Sequence, residues 1–336
     1  RNCLSGARQC LPGEPGGASE PSARFPFEAN LMGCKGSRSE RPPLIPSDDL
    51  ERLLRKSKVR GVSLSWFEAR QHFSQVAGWS DKKSLTRMSE DTWMSLGPMS
   101  QTVSAAFTVW CFQRRGVSLD IPVVRLLKQI GSRFLLQCVP GNENWIRLLT
   151  VRHLLQHTSG LSSYMLSGFP RSRLMPKPMQ MMSGRRGFGN SAKLLLIKRP
   201  GTEFDFSDGN FVVLQHILMA MEGCSFNKAL REFLDSCGME ACSFRQRLKE
   251  TNLQHATGYY EDGRSVPGGR LMFSALAKGL SGTTRAYSKF LATLASAYGN
   301  QWYRTPISHL HAKTILEGRA LNRRPAAAAA AAAGGG

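Results

Sequence analysis

The sequence MSLGPMSQTVSAAFTVWCFQRRG, residues 94 to 116, contains the segment around which the rest of the chain can be arranged. Its apolar residues recur at intervals of three and four, the period of a helix with a buried face. Gly116 follows the last periodic residue and is typical of a helix C-terminus. The stretch therefore predicts a buried helix over these residues. The positions predicted to face the core are Val103, Ala106, Phe107, Trp110 and Cys111.

Three further blocks follow this segment along the chain. They are VSLDIPVVRLL from residue 117, VRHLLQHTSGL from residue 151 and PGTEFDFSDGNFVVLQHIL from residue 200. In this order the blocks resemble the serine β-lactamase-like family, which includes class C β-lactamases, penicillin-binding proteins and a mitochondrial eukaryotic branch. The resemblance implies an α+β fold of the β-lactamase/transpeptidase type, with an antiparallel sheet flanked by a helical subdomain.

The resemblance extends over about residues 48–318. GLSGTTRAYSKFLATLASAYG, from residue 279, is similar to a late helix of the family and implies Leu291, Leu294 and Ala295 as core-facing positions. Family members continue into further sheet strands that carry a third motif, Lys-Thr-Gly or His-x-Gly. This sequence instead reaches a tail of eight alanines and three glycines. We therefore expect the C-terminal sheet strands to be missing.

The chain before the central segment predicts three parts. Residues 1–46 are rich in Gly, Pro, Ser and Arg and predict an irregular arm. Ser47 or Asp48 is expected to cap a helix that contains DDLERLLRKSK. Alternating residues on both sides of the stretch from Glu68 to Gln71 predict a β-hairpin. Its expected core aromatics are Trp66, Phe67, Phe73 and Trp79.

These parts give a domain organisation. We expect the arm at 1–46, one β-lactamase-like domain at 47–320 with a basic insertion at 162–199, and a low-complexity tail at 321–336. Without the C-terminal strands the hairpin has an unpaired edge, and such edges recruit another strand. We therefore expect a partner or residues outside this sequence to cover that edge.

The first catalytic motif of the family is altered. Where relatives resemble IGSVTKTFTA, with the Ser and Lys of a catalytic SxxK pair, this chain has LGPMSQTVSA. Pro98 has no hydroxyl to serve as nucleophile, and Gln101 has no basic nitrogen to accept its proton. Shifting the alignment of this segment with the family motif does not restore the Ser and Lys pair, because no Lys or Arg occurs between Arg87 and Arg114. Two SxxK strings elsewhere, beginning at Ser80 and Ser225, are expected to lie in a turn and at a helix start.

The second motif of the family, Tyr-x-Asn, is altered as well. The corresponding residues are Phe206, Ser207 and Asp208. A phenyl ring cannot exchange a proton, and a carboxylate cannot donate the hydrogen bond of a neutral amide. Because no tyrosine occurs between Tyr164 and Tyr259, no shift restores this motif either. We therefore predict no catalytic residues and name Pro98, Gln101, Phe206 and Asp208 as degenerate positions.

His153 and His157 are four residues apart in a predicted helix, a spacing that places both on one face and suits a zinc site. No acid follows His153 as a metalloprotease would require, and the family keeps this segment as scaffold. We expect structural histidines, no metal and no cofactor.

The formal net charge of +21 favours a polyanionic partner, most often nucleic acid, over a solvated basic surface without a ligand. Residues 151–200 contain nine Lys or Arg and no acid. Basic side chains among methionines and aromatics suit contact with a phosphate backbone, and the alternative is a flexible loop. The predicted RNA-binding or partner-binding residues are Arg171, Arg173, Lys177, Arg185, Arg186, Lys193, Lys198 and Arg199.

The sequence thus favours an inactive hydrolase relative that serves as a structural subunit of a large assembly. The resemblance and the charge suggest a mitochondrial location and a mitochondrial ribosome, with rRNA and neighbouring proteins as partners. No apolar run reaches membrane-spanning length. One alternative is a scaffold or filament subunit of a protein-only complex at the mitochondrial inner membrane.

Two other functions stay open at this level. An active serine hydrolase would need a non-standard nucleophile, for which Ser100 is the best candidate, with Asp208 or His157 as its base. A binding pseudoenzyme would use the old cleft for a ligand, for which the basic insertion favours an anion and Asp208 opposes one.

Overall fold

The structure, a computed structural model, describes residues 43–68, 71–162, 165–184, 193–247, 253–300 and 305–317. The predicted arm up to residue 42, Arg185 and Arg186 of the insertion, and the tail at 321–336 lie outside the described residues. The helices are α1 Ser47–Ser57, α2 Ser100–Arg114, α3 Val123–Gln129, α4 Trp145–Leu148, α5 Val151–Leu155, α6 Pro178–Met182, α7 Asp208–Glu222, α8 Phe226–Ser236, α9 Ala275–Lys278, α10 Thr284–Tyr298 and α11 His309–Glu317. The strands are β1 Gly61–Glu68, β2 Gln71–Asp81, β3 Thr86–Arg87, β4 Met94–Ser95, β5 Gln137–Cys138, β6 Phe169–Pro170, β7 Leu195–Leu196, β8 Cys242–Ser243, β9 Leu271–Met272 and β10 Ser281–Gly282.

The predicted hairpin forms the main sheet. Strand β1 pairs antiparallel with β2 from Gly61 opposite Gly78 to Glu68 opposite Gln71, and β3 pairs with the other edge of β2. Helices α1 and α10 pack on opposite faces of this sheet. No strand within the described ranges pairs with the outer edge of β1. The expectation that a partner covers this edge therefore stays a prediction.

Two expectations about this N-terminal region were wrong. Ser47 is the first residue of α1 instead of its cap, because Pro46 precedes the helix and its carbonyl accepts from the N–H of Leu50 at 3.0 Å. The hairpin aromatics are not core residues, since Phe67 is 39% exposed and the other three are half-buried. The rings of Trp66 and Phe73 lie on the face that α1 covers along β2, whereas Phe67 lies on the opposite face, one residue before the end of β1. The half-buried rings are Trp66, Phe73 and Trp79.

The central helix α2 is buried as predicted but begins later. Residues 94 and 95 form β4 against β10, and a 3₁₀ turn at Gly97–Met99 leads into the helix at Ser100. Gly97 has a φ of +52°, which interrupts a helix, and Pro98 has no N–H to donate and fits only a first turn. At the other end Gly116 has a φ of +61° and closes the helix as expected. Of the predicted core positions, Val103, Ala106, Phe107 and Cys111 are buried and Trp110 is half-buried.

Helix α2 packs against α7 and α9 and joins an aromatic cluster. The ring of Phe107 lies 5.6 Å from that of Phe233 and 6.2 Å from that of Phe226, measured between centroids. Each such buried side chain contributes roughly 1.5 to 3 kcal/mol by removal of apolar area from water. The aromatic cluster thus joins α2 to α8, while the contact of α2 with α7 brings the starts of those two helices together.

The late helix α10 uses a different buried face from the one that the resemblance implied. Leu294 is buried as expected, but Leu291 is 38% exposed and Ala295 is also exposed. The helix buries Phe290 and Ala297 instead, because residues 290, 294 and 297 share one side at helical spacing.

The basic insertion is structured where the structure describes it. Strand β6 pairs with β9, β7 pairs in parallel with β5, and α6 buries the side chains of Met181 and Met182. Met181 and Met182 are thus core residues, whereas Met165 is 58% exposed. Within the described residues, no helix combines the length and the apolar character needed to cross a membrane.

Candidate functional site

The first motif position lies where the 3₁₀ turn enters α2. Pro98 is exposed in this turn, and Gln101 lies one turn further along with only 6% of its surface exposed. The amide of Gln101 donates from Nε2 to Oδ1 of Asp208 at 2.9 Å. The structure therefore brings together two of the degenerate positions that are 107 residues apart in sequence.

Asp208, the first residue of α7, is fully buried. Its Oδ2 accepts from the backbone N–H of Leu166 at 2.8 Å and lies 2.7 Å from the ammonium nitrogen of Lys278. A buried carboxylate needs such partners, since removing it from water costs several kcal/mol when it is left unpaired. The charge that Asp208 introduces at the second motif is thus balanced inside the protein.

Lys278 supplies that balance from the end of α9. Its side chain is 10% exposed, and its ammonium also donates to the carbonyl of Leu166 at 3.3 Å. Sequence reasoning missed this residue, although it is the only charged side chain in the run LMFSALAKGL. A lone lysine among apolar residues is the signal that could have indicated a buried partner.

His157 hydrogen-bonds the side-chain oxygen of Gln101, whose nitrogen donates to Asp208. Its Nε2–H donates to Oε1 of Gln101 at 2.9 Å, while its Nδ1 accepts from the N–H of Ser207 at 3.2 Å and from Nδ2 of Asn210 at 2.9 Å. Burial lowers the pKa of His157, against the opposing effect of Asp208 and Asp205. With Nδ1 already accepting two bonds, the ring is held as the neutral Nε2–H tautomer.

The network continues beyond His157. Asn210 Oδ1 accepts from the hydroxyl of Ser159 at 2.7 Å, and that hydroxyl accepts from the N–H of Leu161 at 3.1 Å. Phe206, the altered second-motif residue, stacks on the imidazole of His157 at 4.6 Å between centroids. We call the connected side chains the buried polar network. Its members are Gln101, His157, Ser159, Asp208, Asn210 and Lys278.

The histidine pair does not have the predicted geometry of a zinc site. Helix α5 ends at Leu155, so His157 lies beyond it with a φ of +54°, and the two histidines share no helix face. His153 Nδ1 instead accepts from the N–H of Thr150 at 3.2 Å, as part of the cap of α5. Both side chains therefore have structural partners.

The candidate replacement nucleophile is held by backbone groups. Ser100 is fully buried, its hydroxyl donates to the carbonyl of Gly97 at 2.6 Å, and it accepts from the N–H of Leu280 at 3.0 Å. Within the described ranges no hydrogen bond joins this hydroxyl to His157, Asp208 or Lys278. Ser104, one turn further along α2, is fully buried and its hydroxyl has no partner among the described residues.

Among the described residues, the side chains at the two motif positions do not form the nucleophile and base pair of a serine hydrolase. A hydrolase of this type needs a hydroxyl at the cleft and a basic group within hydrogen-bond reach that can take its proton. The exposed first-motif residue is a proline, the adjacent amide is neutral, and the lysine ammonium is engaged by a carboxylate and a carbonyl. The groups at the motif positions bond one another and connect α2, α7 and α9.

The predicted RNA-binding residues are spread over the insertion. Arg171, Arg173, Lys177, Lys193 and Arg199 are exposed. Lys193 donates to Oε1 of Gln137, and Lys198 lies 3.2 Å from Glu203 and 3.0 Å from Asp205. The charge of Lys198 is therefore largely balanced locally, whereas Arg171 and Arg173 adjoin a further arginine, Arg247.

The elements follow one another in the order of a serine β-lactamase-like protein. Both motif positions also lie beside one central helix, as the resemblance implied. Comparison with protein families agrees, because the model of the family described as Beta-lactamase matches residues 48–335. The chain therefore belongs to the beta-lactamase family.

Individual relatives are distant. Esterase EstB of Burkholderia gladioli is 31% identical over 96 residues, which cover 29% of this chain and 23% of the esterase. An octameric penicillin-binding protein homologue from Pyrococcus abyssi superposes with a TM-score of 0.60 at 19% identity, over 80% of this chain and 58% of that one. A β-lactamase/D-alanine carboxypeptidase from Pseudomonas syringae gives 0.56 at 17% identity, over 77% and 66%. The match thus spans about a quarter of the curated esterase, and the solved structures establish the fold.

Proposed function

We propose that this chain is a catalytically inactive member of the beta-lactamase family that serves as a structural subunit of a larger assembly. One observation carries the proposal: Gln101 and Asp208, which occupy two of the catalytic positions, bond each other in the buried polar network. Gln101 donates to Asp208 and accepts from His157, and Lys278 neutralises Asp208. Such a network stabilises the junction of three helices and leaves no group prepared for proton transfer.

An active hydrolase that uses Ser100 is the alternative at the chemical level. The contacts of the two proposed bases argue against it, because His157 is bonded through both ring nitrogens and Asp208 accepts from Gln101, Leu166 and Lys278. Each would have to break buried hydrogen bonds before it could approach the hydroxyl, at about 1 to 3 kcal/mol per group.

Hydrolysis assays test the chemical part of the proposal. We expect the purified chain to cleave p-nitrophenyl butyrate and nitrocefin no faster than its Ser100→Ala variant does. A rate clearly above that variant, which disappears when Ser100 is replaced, would establish the hydrolase alternative. The Ser100→Ala change removes the candidate hydroxyl and leaves the side chains of the buried polar network in place.

The assembly that we favour is a mitochondrial ribosome. The support is the net charge of +21, the basic insertion and the resemblance to a family with a mitochondrial branch. The alternative is a scaffold or filament subunit of a protein-only complex at the mitochondrial inner membrane. The Pyrococcus abyssi homologue is octameric, which agrees with the ability of this fold to act as a subunit.

A further partner contact is proposed at the sheet edge. Within the described ranges the outer edge of β1 pairs with no strand, and three half-buried aromatic rings lie in the hairpin. Unpaired N–H and C=O groups beside apolar rings favour addition of a strand from a neighbouring protein or from residues outside this sequence.

Sedimentation tests the assembly. We expect the tagged full chain, expressed in its own cells, to sediment with ribosomal particles of the mitochondrial fraction, and we expect nuclease or high salt to release it. Sedimentation with membrane complexes alone, unchanged by nuclease, would overturn the ribosomal proposal in favour of the protein-only complex.

A further inference from the structure

Three arginines from separate segments meet outside the buried polar network. Arg171 follows β6, Arg247 follows β8 and Arg270 precedes β9. Arg247 Nη2 donates to the carbonyls of Arg171 at 3.0 Å and Arg173 at 2.9 Å, and Arg270 Nη2 donates to the carbonyl of Gln246 at 3.2 Å. We call Arg171, Arg247 and Arg270 the arginine cluster. All three side chains belong to the described residues.

The cluster is built on a rigid support. The side chain of Gln246 donates to the carbonyls of Phe244 and Gly279 and accepts from the N–H of Phe273. Pairing of β6 with β9 holds the chain after Pro170 next to Arg270. The guanidinium groups of Arg247 and Arg270 are thus positioned before any ligand arrives, which lowers the entropy that binding would cost.

The partners that hold these arginines are neutral. Arg171 donates to the carbonyl of Gly268, and the other two arginines donate to the carbonyls given above. No ion pair within the described ranges joins any of the three to a carboxylate. Since a guanidinium has five N–H donors, each side chain keeps donors and a full positive charge for a ligand.

The local electrostatics agree with an uncompensated positive site. Burial lowers the pKa of Arg270, and the nearby charge of Arg171 lowers it further. Burial, Arg270 and Arg171, in that order, lower the pKa of His255 to about 4. Like charges that are held together without a counter-charge destabilise the protein by their repulsion, and a bound anion would remove that cost.

His255 adds a polar group without a partner. Its Nδ1 faces Arg270 Nη1 at 3.5 Å and therefore accepts, which places the proton of the neutral ring on Nε2. That Nε2 is buried and has no hydrogen-bond partner among the described residues. Because the two ring nitrogens project to opposite sides, this donor faces away from Arg270 and contributes no contact to the arginine cluster.

We propose that the arginine cluster is a binding site for a phosphate group of a single-stranded RNA backbone. Planar guanidinium groups bind phosphate oxygens through paired N–H donors, and three of them on one rigid frame match a tetrahedral anion. The inference names the contact surface of the proposed subunit, and it rests on that proposal only for the choice of RNA as the source of the phosphate. The polar network is not part of the site.

A double substitution tests the site. We compare the full chain with Arg171→Gln/Arg247→Gln and with a matched control, Arg125→Gln/Arg133→Gln, which removes two exposed arginines elsewhere. The probe is a fluorescein-labelled 15-mer of oligouridine, followed by anisotropy at several salt concentrations. We expect the cluster variant to lose affinity roughly tenfold and its log–log salt slope to fall by about 0.7, the amount expected when one phosphate contact on a single strand is lost. Arg171→Lys/Arg247→Lys, which keeps the charge but not the planar fork, is expected to retain most of the slope.

The following results would refute the phosphate-binding site and would leave the proposed lack of catalysis unaffected. An equal loss of affinity in the control variant would mean that RNA binding depends on the net charge of the protein and not on the arginine cluster. Thermal stabilisation of the protein by millimolar inorganic phosphate, lost in the cluster variant and without any binding of the oligonucleotide, would assign the site to the free anion. Binding of phosphatidylserine vesicles but not of RNA would assign the surface to a membrane. Thermal melting of each variant separates loss of binding from loss of the fold.

Discussion

At the scale of single residues, the main feature of the candidate site is the buried ion pair between Asp208 and Lys278. The resemblance implies a neutral Asn at the second motif, and this chain has Asp208 together with Lys278 at 2.7 Å. From the sequence we could predict that Asp208 is incompatible with the usual chemistry. We could not predict what balances it, because the two residues are 70 positions apart and meet only through the packing of α7 against α9.

From the Asp208–Lys278 pair we predict that restoring the residue of the family motif destabilises this protein. Asp208→Asn restores the expected residue, yet we expect it to destabilise the protein by about 3 to 5 kcal/mol because it leaves the ammonium of Lys278 without its carboxylate. Lys278→Met is expected to have a similar cost for the opposite reason. Urea unfolding at pH 7.5 measures both.

The double variant supplies the control for this pair. Asp208→Asn/Lys278→Met removes both charges and is expected to be within about 1 kcal/mol of the unaltered chain. Additive losses in the double variant would show that the two side chains are not coupled, and the interpretation of the network would then fail.

At the scale of elements, the sequence predicted the hairpin and the helices α1, α2 and α5, and the resemblance implied the late helix α10, but several details were placed wrongly. The period of its apolar residues located α2. The start of α2 was wrong because Gly97 and Pro98 impose a turn that a periodicity argument does not see. The buried face of α10 was predicted wrongly because the family resemblance implied core positions that differ from those this chain buries, which include Phe290 and Ala297.

The beginning of α10 offers a local test. Thr283 is the N-cap, and its hydroxyl accepts from the N–H of Ala286 at 3.2 Å. Thr283→Ala is expected to reduce the free energy of unfolding by about 1 kcal/mol, whereas Thr283→Ser keeps the hydroxyl and is expected to cost much less. Equal losses in chemical denaturation of the two variants would mean that the methyl packing of Thr283 matters and its cap does not.

At the scale of the whole molecule, we expect the protonation of the histidines to determine how stability depends on pH. From the sequence we expected structural roles for His153 and His157 but could not predict the burial of the other histidines, because burial follows from tertiary packing. Burial is the leading cause of a lowered pKa in all six histidines that show a shift, which are His72, His153, His157, His216, His255 and His311.

The lowered pKa values predict loss of stability in mild acid. The unfolded chain takes up protons as the pH falls below about 6.5, while the folded chain resists protonation, so the unfolded state gains from acidification. This contribution is complete above pH 6.5 and is lost progressively toward pH 4, the value near which His255 titrates in the folded protein. Urea midpoints measured between pH 7.5 and 4.5 should fall steadily. A midpoint that rises as the pH is lowered from 7 to 5 would contradict the assignment of neutral buried histidines.

The central claim is that no side chain of this protein forms an acyl-enzyme. Intact-protein mass spectrometry after prolonged incubation with a fluorophosphonate probe tests it most directly, with Ser100→Ala treated in parallel. We predict an unchanged mass for both proteins, because Pro98 offers no hydroxyl and the hydroxyl of Ser100 is buried between Gly97 and Leu280. A stoichiometric adduct that maps to Ser100 and is absent from the Ser100→Ala variant would contradict the account.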